Sequence, residues 1–468
     1  MNRPRPLRTL GFVEVLAGGL AFIAPAFSLA AGFPVLATTG GAWAPIGIGL
    51  GTLLALLTAA CFMALSRRFP REGGTYALVT STLGPAGGFA AGWSLGLLYF
   101  LGPAIPLYLA AEGLGSLSGW SSPADLVIGA VGLAVAILLV NLGGARPSNR
   151  VALGLFLVEA GVLLTIAVSL TRHPGGFPPL ASGASTSLAE VGGSGAAALF
   201  LFLGFDSIST YGEETHQASR TLPRATWMAI VVASVIYIVC SLTYLWAIPL
   251  RYWEQPTATL AGGVAEILGP TGGLAMQMVI IVSSLGTLLA VQNAGARSLF
   301  AMSRDRLLPP GLSRLWGRRK TFGPALGVCS AIGLFLTLWD VGGPGNVPTP
   351  PDLLLGLVFG LVVLGALVAY MLMGLSVLRF SLNPGSGSWG QGLFHVGWGT
   401  VALTAGLLVL QVISTPPAIR EGLGVGAVVW FLLGLAIWRT AHPQGRSVLG
   451  GSRPHELVEV GGPGEGES

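Results

Sequence analysis

Apolar runs of about 20 residues, long enough to cross the ~30 Å hydrocarbon core of a bilayer as helices, recur along the whole of this 468-residue chain. Joints rich in Gly, Pro and Arg separate them. The runs fall roughly at 11–36, 42–66, 85–112, 123–143, 150–171, 191–212, 225–250, 271–302, 322–342, 352–380, 393–415 and 420–440. This pattern predicts an all-α integral membrane protein with twelve transmembrane helices. Two of the runs are interrupted. The first carries Gly18-Gly19 and then Pro25, which has no N–H for the carbonyl of Ala21 four residues earlier. The sixth meets Gly204-Phe205-Asp206 near mid-membrane and continues through Ser207, Ser209 and Thr210. A carboxyl and a run of hydroxyls are costly in hydrocarbon and tend to face a bundle interior or a water-filled path. Residues 172–190, rich in Gly, Ser and Pro, part the fifth and sixth runs and divide two five-helix halves. Interrupted helices at corresponding positions of two halves point to a transporter site near the membrane midplane.

Charge adds orientation. With the N-terminus inside and twelve spans, all but three of the 24 Lys and Arg residues fall on the cytoplasmic side, the exceptions being Arg172, Arg251 and Arg420. An even span count then places both termini in the cytoplasm of a multi-pass protein of the inner (plasma) membrane. The expected organisation is a cytoplasmic lead 1–10, a first five-helix unit 11–171, an extracellular loop 172–190, a second unit 191–380, two additional helices 381–440 and a disordered tail 441–468. The basic lead, MNRPRPLRTL, runs into the first span with no small-residue cleavage site and reads as retained rather than as a signal peptide.

Composition removes other classes. The chain is 52% hydrophobic and only 9% charged, against about 25% charged in soluble domains. Its basic residues sit at span boundaries, which does not suggest nucleic acid. Cys61, Cys240 and Cys329 each lie inside apolar runs, so neither a disulfide framework nor a thiolate metal site is expected. The five His residues form no HxxxH or HExxH pair, so no zinc or haem site is expected, and the only cofactor foreseen is a coupling ion. An intramembrane enzyme would need clustered acids, His or Cys, whereas the acids here are dispersed over separate spans.

Three stretches carry a resemblance. Phe69 to Trp93 reads FPREGGTYALVTSTLGPAGGFAAGW; the sixth span reads FLGFDSISTYGEE and is followed by RTLPRA; and after the eighth come NAGAR (293–297), AMSRD (301–305) and Leu308-Pro309. Together they resemble the motifs of the amino acid–polyamine–organocation (APC) permeases over roughly residues 8–440. The resemblance implies the five-plus-five inverted repeat of LeuT-like transporters, with discontinuous helices 1 and 6 and two added C-terminal helices. It also implies alternating-access movement of amino acids or related small amines. Two departures stand out. The family's Gly-rich break in helix 1 is replaced by Ile23-Ala24-Pro25-Ala26-Phe27, so the break must rest on Pro25 and the upstream Gly pair. Many relatives place a lysine, thought to stand in for sodium, nine residues after the Arg that opens the fifth span. Counting from Arg150 reaches Glu159 instead.

The expected substrate site comprises Phe22, Ile23, Ala24, Pro25, Ala26 and Phe27 of the first span with Phe202, Gly204, Phe205 and Asp206 of the sixth. N–H groups freed at such breaks suit a carboxylate, and freed C=O groups suit an ammonium. Phe205 would form an aromatic wall or gate. The structural alternatives are a core aromatic beside a kink, a plain Pro25 kink, and an Asp206 that caps the inner half-helix. Glu159 lies about 13 Å beyond Arg150 at 1.5 Å per residue, deep enough for a proton-coupling acid or for a neutral, hydrogen-bonded structural one. Glu14, near Arg5 and Arg8, is expected in an interfacial ion pair. With Glu213, Glu214 and Arg297 it is assigned to a cytoplasmic gate. Tyr99, Ser283, Ser284 and Asn293 are pocket or ion-path candidates, or packing groups. The function expected is proton-coupled secondary transport of a small-molecule substrate. Sodium is the other possible coupling ion, and an exchanger or a non-transporting sensor are the alternatives. Lipid is the surrounding partner, and the protein would be a monomer or homodimer.

Overall fold

The computed structural model describes residues 8–69, 73–120, 122–177, 188–255, 258–317, 320–342, 351–382, 390–415 and 417–440. The lead through residue 7, most of the loop 172–190, and the tail 441–468 lie outside the described residues. The regular structure in this range is helical. In order come α1 (Phe12–Ile23), α2 (Pro25–Gly40), α3 (Ala44–Arg68), α4 (Gly74–Leu101), α5 (Ala104–Ser118), α6 (Pro123–Leu142) and α7 (Ala145–Leu170). After the divider follow α8 (Leu188–Phe202), a 3-10 helix (Phe205–Tyr211), α9 (Ala218–Ala247), the short α10 (Leu250–Trp253), α11 (Leu260–Arg304), α12 (Gly323–Gly342), α13 (Pro351–Ser381), α14 (Gly390–Ser414) and α15 (Pro417–Thr440). Among the described residues, pairing outside helices is confined to two isolated bridges, Leu10 with Thr215 and Trp316 with Thr321.

Among the described residues, ten helical stretches are long and apolar enough to cross a membrane, one of them the 57-residue run Phe12–Arg68 that contains α1, α2 and α3. The protein is a multi-pass membrane protein. Large apolar side chains on α6, α7 and α15, such as Ile128, Leu139, Leu157, Val425 and Leu432, are exposed on the outer surface, where lipid replaces water as the solvent. At the centre, α1 packs against α7, α9, α11 and the 3-10 helix, while α2 packs against α8 and α11.

Most of the expected runs match helices to within a few residues, but the third covers the second part of α4 together with α5, and α9 starts seven residues before its run. Extra helical segments precede the third and eighth runs, and each meets its run at a Leu-Gly-Pro-x-Gly-Gly stretch. Leu83-Gly84-Pro85-Ala86-Gly87-Gly88 kinks α4, and Leu268-Gly269-Pro270-Thr271-Gly272-Gly273 kinks α11. Gly84 has φ 83° and ψ −177°, and Gly269 has φ 76° and ψ −177°. Proline excludes helical geometry from the residue before it, positive φ requires glycine at low cost, and proline is suited to open the next helix.

Candidate functional site

The first break is one residue wide. Ala24 adopts φ 41° and ψ 78°, its N–H still closes α1 on the Leu20 carbonyl, and Pro25 opens α2. Pro25 leaves the Ala21 carbonyl without its helical donor. The next N–H groups go to neighbouring helices: Ala26 N–H donates to Glu159 Oε1 of α7 at 2.5 Å, and Phe27 N–H donates to Ser283 Oγ of α11 at 2.9 Å. Ser283 Oγ–H in turn donates to Glu159 Oε1 at 2.7 Å. A carboxylate therefore sits at the N-terminal, positive end of α2. Ser28 Oγ and Tyr237 Oη both donate to the Ile23 carbonyl, at 2.7 and 2.8 Å.

Gly18 and Gly19 take no part in this break, contrary to expectation, because both lie inside the regular turns of α1. A Cβ on Gly18 would come within 2.8 Å of Tyr211 Cζ and Asn149 Nδ2, and one on Gly19 would run into Ile208. The pair lets α1 approach the 3-10 helix.

The second break centres on Gly204, φ 111°, after which the chain continues as a 3-10 helix rather than an α-helix. A Cβ on Gly204 would lie 2.6 Å from the Phe22 ring and 2.9 Å from the Phe22 carbonyl carbon, so the two breaks touch. Asp206 is buried, with Oδ2 accepting from Tyr99 Oη at 2.9 Å and Oδ1 accepting from Tyr370 Oη at 3.0 Å and Gly204 N–H at 3.3 Å. It ties the break to α4 and α13. Phe205 is fully buried against Phe62 and Tyr370, each ring centroid 5.7 Å away, and Phe202 meets Tyr237 edge-on at 5.0 Å.

A cavity of about 20 Å³ lies between the breaks, bordered by Phe22, Phe27, Ser28, Phe200, Leu203 and Thr287. Of the expected substrate residues, only Phe22 and Phe27 line it. Ile23, Ala24, Pro25 and Ala26 form the backbone behind it, while Phe202, Phe205 and Asp206 pack to the sides. Phe200, which sequence reasoning passed over, lies one helical turn before Gly204. It stacks on Phe359 with centroids 4.3 Å apart and faces Phe27 at 6.2 Å. Beyond this aromatic group, toward the face opposite the N-terminus, a cavity of about 940 Å³ is walled by α2, α5, α8, α11, α13, α14 and the start of α15. Ile105 borders both cavities.

The N-terminal face is sealed. Thr9 and Leu10 N–H both donate to the Glu214 carbonyl at 3.0 Å, and His216 N–H donates to the Leu10 carbonyl at 2.9 Å. Arg297 is fully buried, with Nε 2.5 Å from Glu214 Oε1, Nη1 donating to the Asn293 carbonyl, and its guanidinium 4.3 Å above the Tyr211 ring. Arg304 grips Glu213 in a two-pronged pair at 2.9 and 3.0 Å, and Tyr76 Oη donates to Asp305 at 2.9 Å. Glu14 pairs with Arg150 of α7 at 3.2 Å, and Arg5, one of the two arginines expected near it, lies outside the described residues. Asn149 Nδ2 donates to the Glu14 carbonyl, and Tyr211 Oη reaches Asn149 Oδ1 at 3.5 Å. All four expected gate residues therefore lie on this face. Asn293 is held by Asn141 and the Leu289 carbonyl, away from both cavities.

The model of the amino acid permease family matches residues 11–438. The chain belongs to that family. It is a family of membrane transporters and not of enzymes. Among relatives, the permease is 28% identical over 389 residues to the low-affinity putrescine importer PlaP of Escherichia coli (strain K12), spanning 79% of this chain and 80% of that one. It is 27% identical over 354 residues to the branched-chain amino acid permease BcaP of Bacillus subtilis (strain 168), spanning 67% and 71%. The serine/threonine exchanger SteT of Bacillus subtilis (strain 168) is 26% identical over 271 residues, spanning 56% and 60%. Among solved structures, MhsT in complex with L-phenylalanine superposes with a TM-score of 0.61 at 14% identity, over 88% of this permease and 100% of that chain. This likeness shows the LeuT-like fold.

Proposed function

We propose that this permease is a secondary active transporter that carries an amino acid or a related small amine across the inner membrane by alternating access. The observation that carries this reading is the asymmetry about the two touching breaks. One side holds a large cavity, and the other is closed by the Arg297–Glu214 and Arg304–Glu213 pairs. Substrate enters from the cavity, displaces the Phe200–Phe359 contact, and settles between the breaks beside Phe22 and Phe27. Rocking of the central helices then opens the ion-paired side.

Twelve spans in a five-plus-five inverted repeat, with two helices added, fit this reading. Support comes from the breaks at Ala24 and Gly204 and from the like kinks at Gly84 and Gly269, which would take corresponding positions in two five-helix halves. Both termini and the sealed face are assigned to the cytoplasm by the distribution of Arg and Lys.

Glu159 is the proposed proton carrier. It bonds directly to the first break, so gaining or losing a proton alters a contact between α7 and the moving segment. The test is uptake of labelled amino acids and amines into proteoliposomes under a proton gradient, a sodium gradient, or an internal load of unlabelled substrate. Uptake driven by the proton gradient supports the symport reading. Uptake only against internal substrate replaces it with exchange. Binding without uptake under all three conditions removes transport.

A further inference from the structure

We propose, on the transport reading above, that the species carried is an organic ammonium without a carboxylate, because the protein's own Glu159 carboxylate occupies the amide end of the first break. A ligand carboxylate at such a break relies on the free N–H groups at the start of the second half-helix. Here Pro25 has none, Ala26 N–H is bonded to Glu159, and Phe27 N–H is bonded to Ser283. Ser283 donates its own proton to Glu159, so the serine and the carboxylate form one unit covering both amides. The break is left offering acceptors, since the Ala21 and Phe22 carbonyls have lost the helical donors that Pro25 and Ala26 would have supplied. Carbonyl oxygens and the rings of Phe22, Phe27 and Phe200 favour a cation and give nothing to an anion.

The approach path has the same character. Glu112 is the only Asp, Glu, Lys, Arg or His among the described residues lining the large cavity, and none of these types lines the small one. Arg420, beside Ile419 of the cavity wall, turns its guanidinium to the carbonyls of Ile413 and Thr415. The buried Arg297 is engaged by Glu214 on the sealed face. Among the described residues, an α-carboxylate travelling this route would meet no cation in the cavity lining and no open pair of amides at the first break. An ammonium would meet aromatic faces at the base.

The test uses pairs that differ only by the carboxylate: putrescine and ornithine, ethanolamine and serine, isobutylamine and valine, isoamylamine and leucine. Initial uptake into proteoliposomes is measured at equal concentration within each pair, together with the shift in thermal unfolding that each compound causes. The expected result is that in the pair with the fastest uptake the amine exceeds the amino acid at least tenfold. Faster uptake of the amino acid overturns the inference and leaves the transport reading standing. No uptake of either member in any pair overturns both. Glu159→Ala uncovers the Ala26 amide and should lower the amine-to-acid ratio about tenfold, while Glu159→Gln keeps an acceptor oxygen and should hold the ratio. An unchanged ratio in a folded, monodisperse Glu159→Ala protein overturns the role given to the carboxylate.

Discussion

The two breaks solve opposite problems. The first exposes backbone donors, and the neighbouring helices supply the acceptors, Glu159 from α7 and Ser283 from α11. The second carries its own acceptor, Asp206, and the neighbours supply the donors, Tyr99 from α4 and Tyr370 from α13. The backbones differ as well. The second turns on a glycine at φ 111°, pressed against Phe22, whereas the first turns on an alanine at φ 41°. An interruption in a membrane helix is therefore a set of polar groups with specific partners, since hydrocarbon offers them none. Which helices provide those partners decides what the break can still bind.

The largest effect on this contrast is expected from Gly204→Ala. The added methyl must displace the Phe22 ring and backbone, and the residue must hold a φ that L side chains rarely adopt. Strain and overpacking of this kind cost about 1–3 kcal/mol each. The variant should lose both thermal stability and uptake. Retention of both would mean that the breaks do not meet as described.

Exchanging the acids separates their roles. Asp206→Asn keeps one acceptor oxygen and replaces the other with NH₂, so one tyrosine O–H loses its acceptor, which should cost about 1–3 kcal/mol for an unsatisfied buried group. Its uptake should be lower at every pH with an unchanged profile. Glu159→Gln should instead flatten the dependence of uptake on pH and on the proton gradient. The groups facing Glu159 are Ser283, the Ala26 amide and the nearby Tyr237 hydroxyl, and none of them changes charge near neutrality. A Glu159→Gln protein that still responds to the proton gradient would move coupling elsewhere, with Asp206 the next acid to examine.

The paired kinks offer a smaller and more symmetrical test. Gly84 and Gly269 share one backbone conformation, and a Cβ at either would meet nothing within 4 Å. Gly84→Ala and Gly269→Ala should therefore each cost only the backbone strain of a positive φ with ψ near 180°, a region essentially confined to glycine, about 1–3 kcal/mol. Thermal unfolding should show the two losses to be equal and additive, as expected for distant sites. A marked inequality would argue that the two segments are not equivalent members of a repeat.

Much of this was legible in the chain. Spans announce themselves because about 20 apolar residues have few other uses, and Pro25 and Gly204 mark their breaks by losing a donor and by tolerating positive φ. The repeated Leu-Gly-Pro-x-Gly-Gly of residues 83–88 and 268–273 was also there to be read. It was hidden because its first copy sits inside a longer family motif. Partners across the fold were not legible. Glu159 and Ala26 are 133 positions apart, and Glu14 and Arg150 are 136 apart. Depth along a helix places an acid in the membrane but not against a particular amide. Phe205 drew attention through its motif, yet it is Phe200, one turn earlier, that faces the cavity. The 3-10 course after Gly204 rotates the later side chains away from the positions a continued α-helix would give them.

The smallest expected effect is at the break without a glycine. Ala24 holds φ 41° and is buried, with its N–H and carbonyl both bonded along the chain. Ala24→Gly removes a methyl and relieves a left-handed conformation that costs an L residue about 1–2 kcal/mol. Glycine's greater freedom in the unfolded chain returns about 0.5–1 kcal/mol of that. The net change in unfolding should thus be within about 1 kcal/mol of zero, in contrast to the loss at Gly204→Ala. Uptake is the sharper readout. If the alanine serves to hold the Ala26 and Phe27 amides against Glu159 and Ser283, a glycine there should loosen that contact. The ratio of amine to amino acid uptake would then fall while stability stays level. An unchanged ratio would place the rigidity of the first break in Pro25 and its bonded neighbours, with Ala24 only passing the chain from one half-helix to the next.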